Sequence, residues 1–337
     1  MRKTIASLTI VTIFCAVFLL NWTSHCDGAE WVKNTKHTLR IGHCVSERFA
    51  YHLGCLRFAE LAKVYTRGQV EIKIYPNFQL GSEQVQNKNV QIGTQDMALT
   101  AINNAAPWYP PLDIFIQPYI FADREHAFKV ADGPIGSGLK EKFRKASGMR
   151  ILALFEYGWR CVANNKRPIR KVKDFDGILI RVPKNPVMID TFNALGAQAT
   201  PIAWGETFNA LQQGVVDAFD GTAPVILDLK FYEVIKYFSL TNHFYGFASI
   251  QMNEKKFQSL SNPIQEAILR AAREAEIYQR WVSAMQHLTA ADAMMKKGVN
   301  VNKIEDLGPF RSKVEKVWNK YESKIGKEFF DAVASAR

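Results

Sequence analysis

From Pro263 to Gly298 the chain carries no internal glycine or proline, and Ser261 and Asn262 stand before that stretch as helix-capping residues. Proline is tolerated at the first helical position because its missing N–H would have no intrahelical partner there. Asn262 to Lys297 therefore predicts one helix about 54 Å long at 1.5 Å per residue. A helix of that length exceeds the diameter of a domain of this size. Either it kinks, or it crosses from one domain to another, and a chain of 337 residues has room for two.

Upstream the pattern alternates. Thr38–Val45 has period-2 apolar spacing and predicts a strand, followed by a helix over 51–66. Val70–Tyr75 alternates strictly, and Pro76 and Asn77 stop it. Ser82 caps a helix to Ile92, Asp96–Ala101 is a buried strand, 107–124 is a long loop, 124–145 is helical, and Ile151–Phe155 is a strand. A second set follows: strand Ile178–Val182, helix Pro186–Leu195 ended by Gly196, helix Gly205–Gln213, strand Val216–Phe219. Asn242–Asn253 reads as a strand returning to the first domain, and Pro309–Ala336 as helical. Two β-α-β-α-β sets predict an α/β fold of two open domains with largely parallel sheets.

The N-terminus has its own logic. Arg2 and Lys3 precede an apolar run to Leu20, then polar residues, with a cleavage point expected after Ala29. This is the layout of a secretory signal peptide, and the run is short for a membrane span. Cleavage would lower the net charge from +11 to +10 and leave Cys44, Cys55 and Cys161. Three cysteines at these spacings form neither a disulfide framework nor a zinc pattern, so they are expected as small core or site-wall residues.

In two-domain α/β proteins, ligands sit beyond strand ends in the cleft between lobes. Arg181 lies inside the short apolar strand Leu179-Ile-Arg-Val182. A buried guanidinium is costly unless it meets an anion, either a ligand carboxylate or an internal acid. Arg160 follows the 151–155 strand, beside Gly158 and Trp159, as a ligand contact or a solvated loop residue. Trp204, just before a helix, could stack on a ligand or staple a surface. Asp217 and Asp220 flank a strand end, where they could accept from a ligand or hold an arginine.

Catalytic templates are missing. The sequence has no Gly-x-Ser-x-Gly, no His-Glu-x-x-His, no phosphate loop and no glycine-rich nucleotide fingerprint. Its seven histidines are scattered, so no metal and no cofactor is expected. The lysines are dispersed rather than gathered into a basic stripe, which argues against nucleic acid as a partner. A secreted α/β enzyme acting on a carboxylate is the alternative to a binding protein.

The strings Ile72-Lys-Ile-Tyr-Pro-Asn77, Gln79-Leu-Gly-Ser-Glu83, Gln91-Ile-Gly-Thr-Gln-Asp-Met97, Asn165-Lys-Arg-Pro-Ile169, Ile180-Arg-Val-Pro183 and Ala210-Leu-Gln-Gln-Gly-Val-Val-Asp217 occur in that order. Together they resemble the DctP-type substrate-binding proteins of TRAP transporters over essentially the whole mature chain. The resemblance implies a non-enzymatic periplasmic receptor that binds a small-molecule organic acid and delivers it to TRAP membrane subunits. It implies two lobes, 36–157 plus 247–286 and 158–246 plus 287–337, after a signal peptide at 1–29. By the same resemblance, Arg181 binds the ligand carboxylate, Arg160 is a second contact, and Trp204 packs on the ligand. Glu83 and Cys44 join them as site residues. Asp220 keeps an acidic position, but Gly221 stands where many members have an Asn. With Trp159, Trp204 and Phe244, this departure predicts a wider, more aromatic pocket, suited to an aromatic or branched monocarboxylate. Monomer or dimer is left open.

Overall fold

Nine strands carry the fold of residues 36–337, the part of the chain that this computed structural model describes. The expected signal peptide, Cys15 and Cys26 lie outside the described residues. In chain order the strands are β1 (His37–Gly42), β2 (Val70–Tyr75), β3 (Met97–Ala101), β4 (Met149–Asn164), β5 (Leu179–Val182), β6 (Gln198–Pro201), β7 (Ala218–Gly221), β8 (Tyr237–Asn253) and β9 (Asn300–Lys303). They form one sheet in the order β2-β1-β3-β8-β4-β7-β5-β6, with β9 added to β8.

β1 runs parallel to β2 and β3, and β5 parallel to β6 and β7, so each half keeps the expected parallel core. The sheet as a whole is mixed. β8 is antiparallel to both β3 and β4, and β4 is antiparallel to β7. These two long strands pass through both halves and join them into a two-lobed α/β fold.

β4 departs most from the sequence expectation. The reading stops the strand at Phe155 and puts Arg160 on a loop, whereas the strand continues to Asn164. It does so through register shifts at 151/153, 156/158 and 160/162. Gly158 sits at the middle shift with φ +82°, and a Cβ there would come within 2.3 Å of His287 Nε2. Glycine inside a strand is thus a bulge marker rather than a stop.

The predicted long helix is present, unbroken, as Asn262–Lys296. It packs on the helix Ala50–Tyr65 and on β4, and further along on the helix Ala223–Asp228 and β9, so it reaches both lobes. Its side chains bond the bulged strand directly. Glu276 Oε1 accepts the Leu154 N–H (2.8 Å), and Gln279 accepts from the Glu156 N–H (2.9 Å) while donating to the Glu156 carbonyl (2.7 Å).

Other differences have local causes. The 124–145 helix is two helices, Arg124–Asp132 and Pro134–Ser147, broken where Pro134 lacks an N–H. The expected 107–124 loop contains the 3-10 segment Pro110–Ile116, whose Leu112, Ile114, Phe115 and Ile116 are core residues. The C-terminal helices, Gly308–Ile325 and Lys327–Ser335, pack on their own chain through Phe310, Val314, Val317 and Tyr321. Cys44, Cys55 and Cys161 are buried and, among the described residues, not disulfide-bonded.

Asp113, on the 110–116 segment, is 4% exposed, and its carboxylate accepts a hydrogen bond from Asn185 Nδ2 (2.9 Å). Burial raises its pKa to about 6, with Asn185 pulling the other way. Between the unfolded and folded pKa values the native state holds the extra proton, so stability falls as pH rises through that window. Asp113→Asn removes this cost. Relative to the parent protein, the variant should gain about 1–3 kcal/mol between pH 4 and pH 7, read from paired denaturant titrations.

Candidate functional site

Where β1, β3, β5 and β7 end, side chains from both halves of the sheet close around a cavity with about 600 Å³ of open space, its mouth included. One wall comes from the first half of the sheet: Cys44 and Val45 after β1, Glu83 at the start of the helix Glu83–Ile92, and Ala101, Asn103 and Asn104 at the end of β3. The opposite wall is Arg181 and Pro183 at β5, Trp204 after β6, and Asp220, Gly221 and Thr222 at β7. Tyr157 and Arg160 of β4 lie between them.

Seven of the nine expected site residues therefore meet at one place: Arg181, Arg160, Trp204, Asp220, Gly221, Glu83 and Cys44. Trp159 and Phe244 do not line it. Strand side chains alternate between faces, so Trp159 points away from the cavity when Arg160 points in. It packs edge-on against Tyr245, ring centroids 5.0 Å apart. Phe244 is buried in the core, against Phe192 and His243. Gly221 does not widen the pocket as expected, because a Cβ there would meet the Phe219 ring at 2.9 Å. Tyr51, Tyr157, Asn103, Asn104 and Thr222 also line the cavity, although the sequence reading does not single them out. Thr222 directly follows β7, and Asn103 and Asn104 come within three residues of the end of β3, which is the only signal they offer.

The two arginines differ in their surroundings. Arg160 is held inside the protein: Nε donates to Asp220 Oδ2 (2.5 Å), Nη2 to the Asp220 carbonyl (3.0 Å) and Nη1 to the Tyr157 hydroxyl (3.1 Å). Burial is the largest influence and acts to lower its pKa, but the Asp220 charge together with Tyr157 and the hydrogen bonds to both outweighs it, and the net shift is upward. Asp220 is fully buried, which acts to raise its pKa. The Arg160 charge and the hydrogen bond from His243 overcome that and hold the carboxyl below its usual range. His243 Nε2 lies 3.4 Å from Asp220 Oδ2, and Nδ1 lies 2.8 Å from Thr241 Oγ1. Burial lowers the His243 pKa despite Asp220, which fits a neutral ring donating to the carboxylate.

Arg181 is 2% exposed, and among the described residues its guanidinium makes one hydrogen bond, Nε to the Ile202 carbonyl (2.9 Å). Among the described residues no carboxylate lies within ion-pair distance of it. Its guanidinium carbon sits 5.3 Å from the Trp204 ring centroid, and Trp204 is stacked on Phe231 at 5.1 Å. Burial lowers the Arg181 pKa to about 10, an effect that the Asp220 charge only partly offsets.

Glu83 is occupied, accepting from the Ala101 N–H (2.8 Å) and Asn104 Nδ2 (3.1 Å), and burial raises its pKa. The Cys44 thiol is also pushed up by burial and by Glu83, so it is an unreactive wall. Two buried oxygens of the cavity wall, Asp220 Oδ1 and Thr222 Oγ1, have no hydrogen-bond partner among the described residues. The cavity thus combines a cation without an acid partner among those residues and an indole wall, and two of its lining residues, Asp220 and Thr222, each keep a buried oxygen without a partner among the described residues.

Residues 41–324 match the family described as bacterial extracellular solute-binding protein, family 7. The chain belongs to this family. It is a solute-binding protein of the TRAP transporter kind and not an enzyme. The receptor is 33% identical over 264 residues to the 2,3-diketo-L-gulonate-binding periplasmic protein YiaO of Escherichia coli, covering 78% of this chain and 80% of that one. It is similar to the C4-dicarboxylate-binding periplasmic protein DctP of Rhodobacter capsulatus, 28% identical over 88% of this chain and 90% of that one. Among solved structures, a Polaromonas TRAP solute-binding protein bound to D-erythronate superposes with a TM-score of 0.86 at 32% identity, over 88% of this chain and 98% of that one. A Roseobacter denitrificans protein with bound L-galactonate gives 0.82 at 30%, over 89% and 98%.

The unequal pairing of the arginines makes a prediction. Arg181→Met should lower affinity for the receptor's solute at least about 100-fold, the value of two charge-assisted hydrogen bonds. It should leave the unliganded melting temperature equal or higher, because an uncompensated buried charge is gone. Arg160→Met strands Asp220 and should cost about 3–5 kcal/mol of stability. Calorimetric titration and thermal unfolding of both variants separate the roles.

Proposed function

We propose that the receptor captures a small hydroxylated monocarboxylate, its carboxylate against the free Nη groups of Arg181 and a hydroxyl between Asp220 Oδ1 and Thr222 Oγ1. The observation that carries this reading is the buried Arg181 guanidinium without a carboxylate partner among the described residues, in a cavity with two unpartnered oxygens. Desolvation has already been paid for in the unliganded fold, and an incoming anion recovers it. Arg160 takes part through its charge and by fixing Asp220 as an ionised acceptor. Trp204 offers its face to the carbon skeleton.

The expectation of an aromatic or branched guest rests on Gly221, Trp159, Trp204 and Phe244. Trp159 and Phe244 do not line the cavity, the space beside Gly221 is taken by Phe219, and of the three aromatic residues only Trp204 offers a face there. A hydroxy acid therefore fits the lining better. The erythronate and galactonate bound by the structural relatives are of that chemistry.

The lobe boundaries in this reading are 36–157 with 247–286, and 158–246 with 287–337. The cavity then lies between lobes, and closure shields the Arg–carboxylate contact from salt. Ser46, from one lobe, reaches across to Asp228 of the other: its N–H donates to Asp228 Oδ2 (3.1 Å) and its hydroxyl to Oδ1. The family works outside the cytoplasmic membrane with TRAP membrane subunits. With the N-terminal signal peptide expected from the sequence, this chain acts in the periplasm.

Calorimetry with four- to six-carbon aldonates, their amides, and an aromatic monocarboxylate tests the proposal. The acids should bind, and each amide should lose at least about 100-fold. Equal binding of acid and amide overturns the role of Arg181. An aromatic acid that binds more tightly than every hydroxy acid overturns the role of the two oxygens.

A further inference from the structure

The outer face of the long helix Asn262–Lys296 has no function in solute binding, since none of its residues lines the cavity. Its composition is unusual. Ile277, Tyr278, Trp281, Met285 and Leu288 are 63%, 37%, 62%, 48% and 72% exposed. From 277 to 291 the only other exposed position is Thr289, so this face carries no charge along about 17 Å of helix. The spacing 277, 281, 285, 288 makes one continuous stripe. In a chain of net charge +11, an uncharged apolar stripe with an exposed tryptophan at its centre marks an interaction surface.

We infer that this stripe joins two copies of the chain, with the helices antiparallel about a two-fold axis between Val282 and Ser283. Charge at the two ends selects this occupant and orientation. Arg273 and Asp292 are exposed, and neither forms an ion pair among the described residues. Antiparallel pairing in this register sets Ile277 opposite Leu288 and Arg273 opposite Asp292, each twice by symmetry. It also sets Arg270 opposite Met295 and Lys296 opposite Leu269, so no like charges meet. Parallel pairing would instead put Arg273 against Arg273 and Asp292 against Asp292. The contact is one helix wide, which places it at the small end of specific interfaces and its dissociation constant in the micromolar range.

Sedimentation velocity of the mature receptor from about 1 to 200 µM, spanning that range, tests this. A monomer–dimer equilibrium is expected, with Trp281→Glu monomeric throughout. Arg273→Glu and Asp292→Arg should each weaken the dimer about tenfold, the value of one well-placed ion pair repeated by symmetry. The double variant should restore it, since the two exchanged charges would again stand opposite one another. Solute binding, measured on every variant, should stay unchanged and shows that each is folded. Monomer at all concentrations, an unaffected Trp281→Glu dimer, or a double variant no better than the singles overturns the inference. So does a monomeric receptor whose Trp281→Glu variant binds solute but fails in transport, which would assign the stripe to the membrane subunits.

Discussion

Two guanidinium groups share the cavity, and one fully buried carboxylate has been committed to only one of them. Asp220 is tied to Arg160 through its side chain and its backbone carbonyl, with His243 behind it. That arrangement leaves Arg181 buried, charged and without an acid partner among the described residues. An internal pair at Arg181 would have stabilised the empty protein and abolished its use as an anion receptor. Stability is instead given up at the point where a solute can return it. Glu83, the other acid of the cavity, does not relieve this, because its oxygens are engaged by Ala101 and Asn104.

Geometry of this kind needs a stiff frame, and the frame is the crossing of β4 and β8. β4 contributes Tyr157 and Arg160 to the site from beside its central bulge. The bulge depends on Gly158, which lets His287 of the long helix approach and bond the Tyr157 carbonyl (2.9 Å). Glu276 and Gln279 of that helix bond the strand further along. The helix that spans the lobes is thereby clamped to the strand that carries the arginine. Its opposite face, the uncharged stripe around Trp281, remains outside this arrangement.

Much of the site is legible in the sequence because strand ends can be located from period-2 patterns and from the residues that stop them. Arg181 stands out because a cation in a short apolar strand demands an explanation. Trp159 goes astray because the pattern ends β4 before Gly158. A strand that continues fixes which face each residue takes, and the alternation sends Trp159 away from the cavity. Phe244 goes astray because its packing against Phe192 is set by a residue far away in the chain. His243, Tyr51 and Tyr157 give no signal for the same reason: their roles come from neighbours distant in sequence.

By itself the sequence determined the α/β alternation, the 35-residue helix, the buried cation on β5 and the membership of a solute-receptor family. Each of these is a local pattern or a string of local patterns: period, caps, breakers and spacing. The tertiary structure alone decided which arginine is neutralised, that β4 runs on through a bulge, that two strands merge the parallel halves into one mixed sheet, and that Asp220 and Thr222 bring unpartnered oxygens to the cavity wall. Those outcomes depend on which distant groups meet at hydrogen-bond distance, and only the folded chain brings them together.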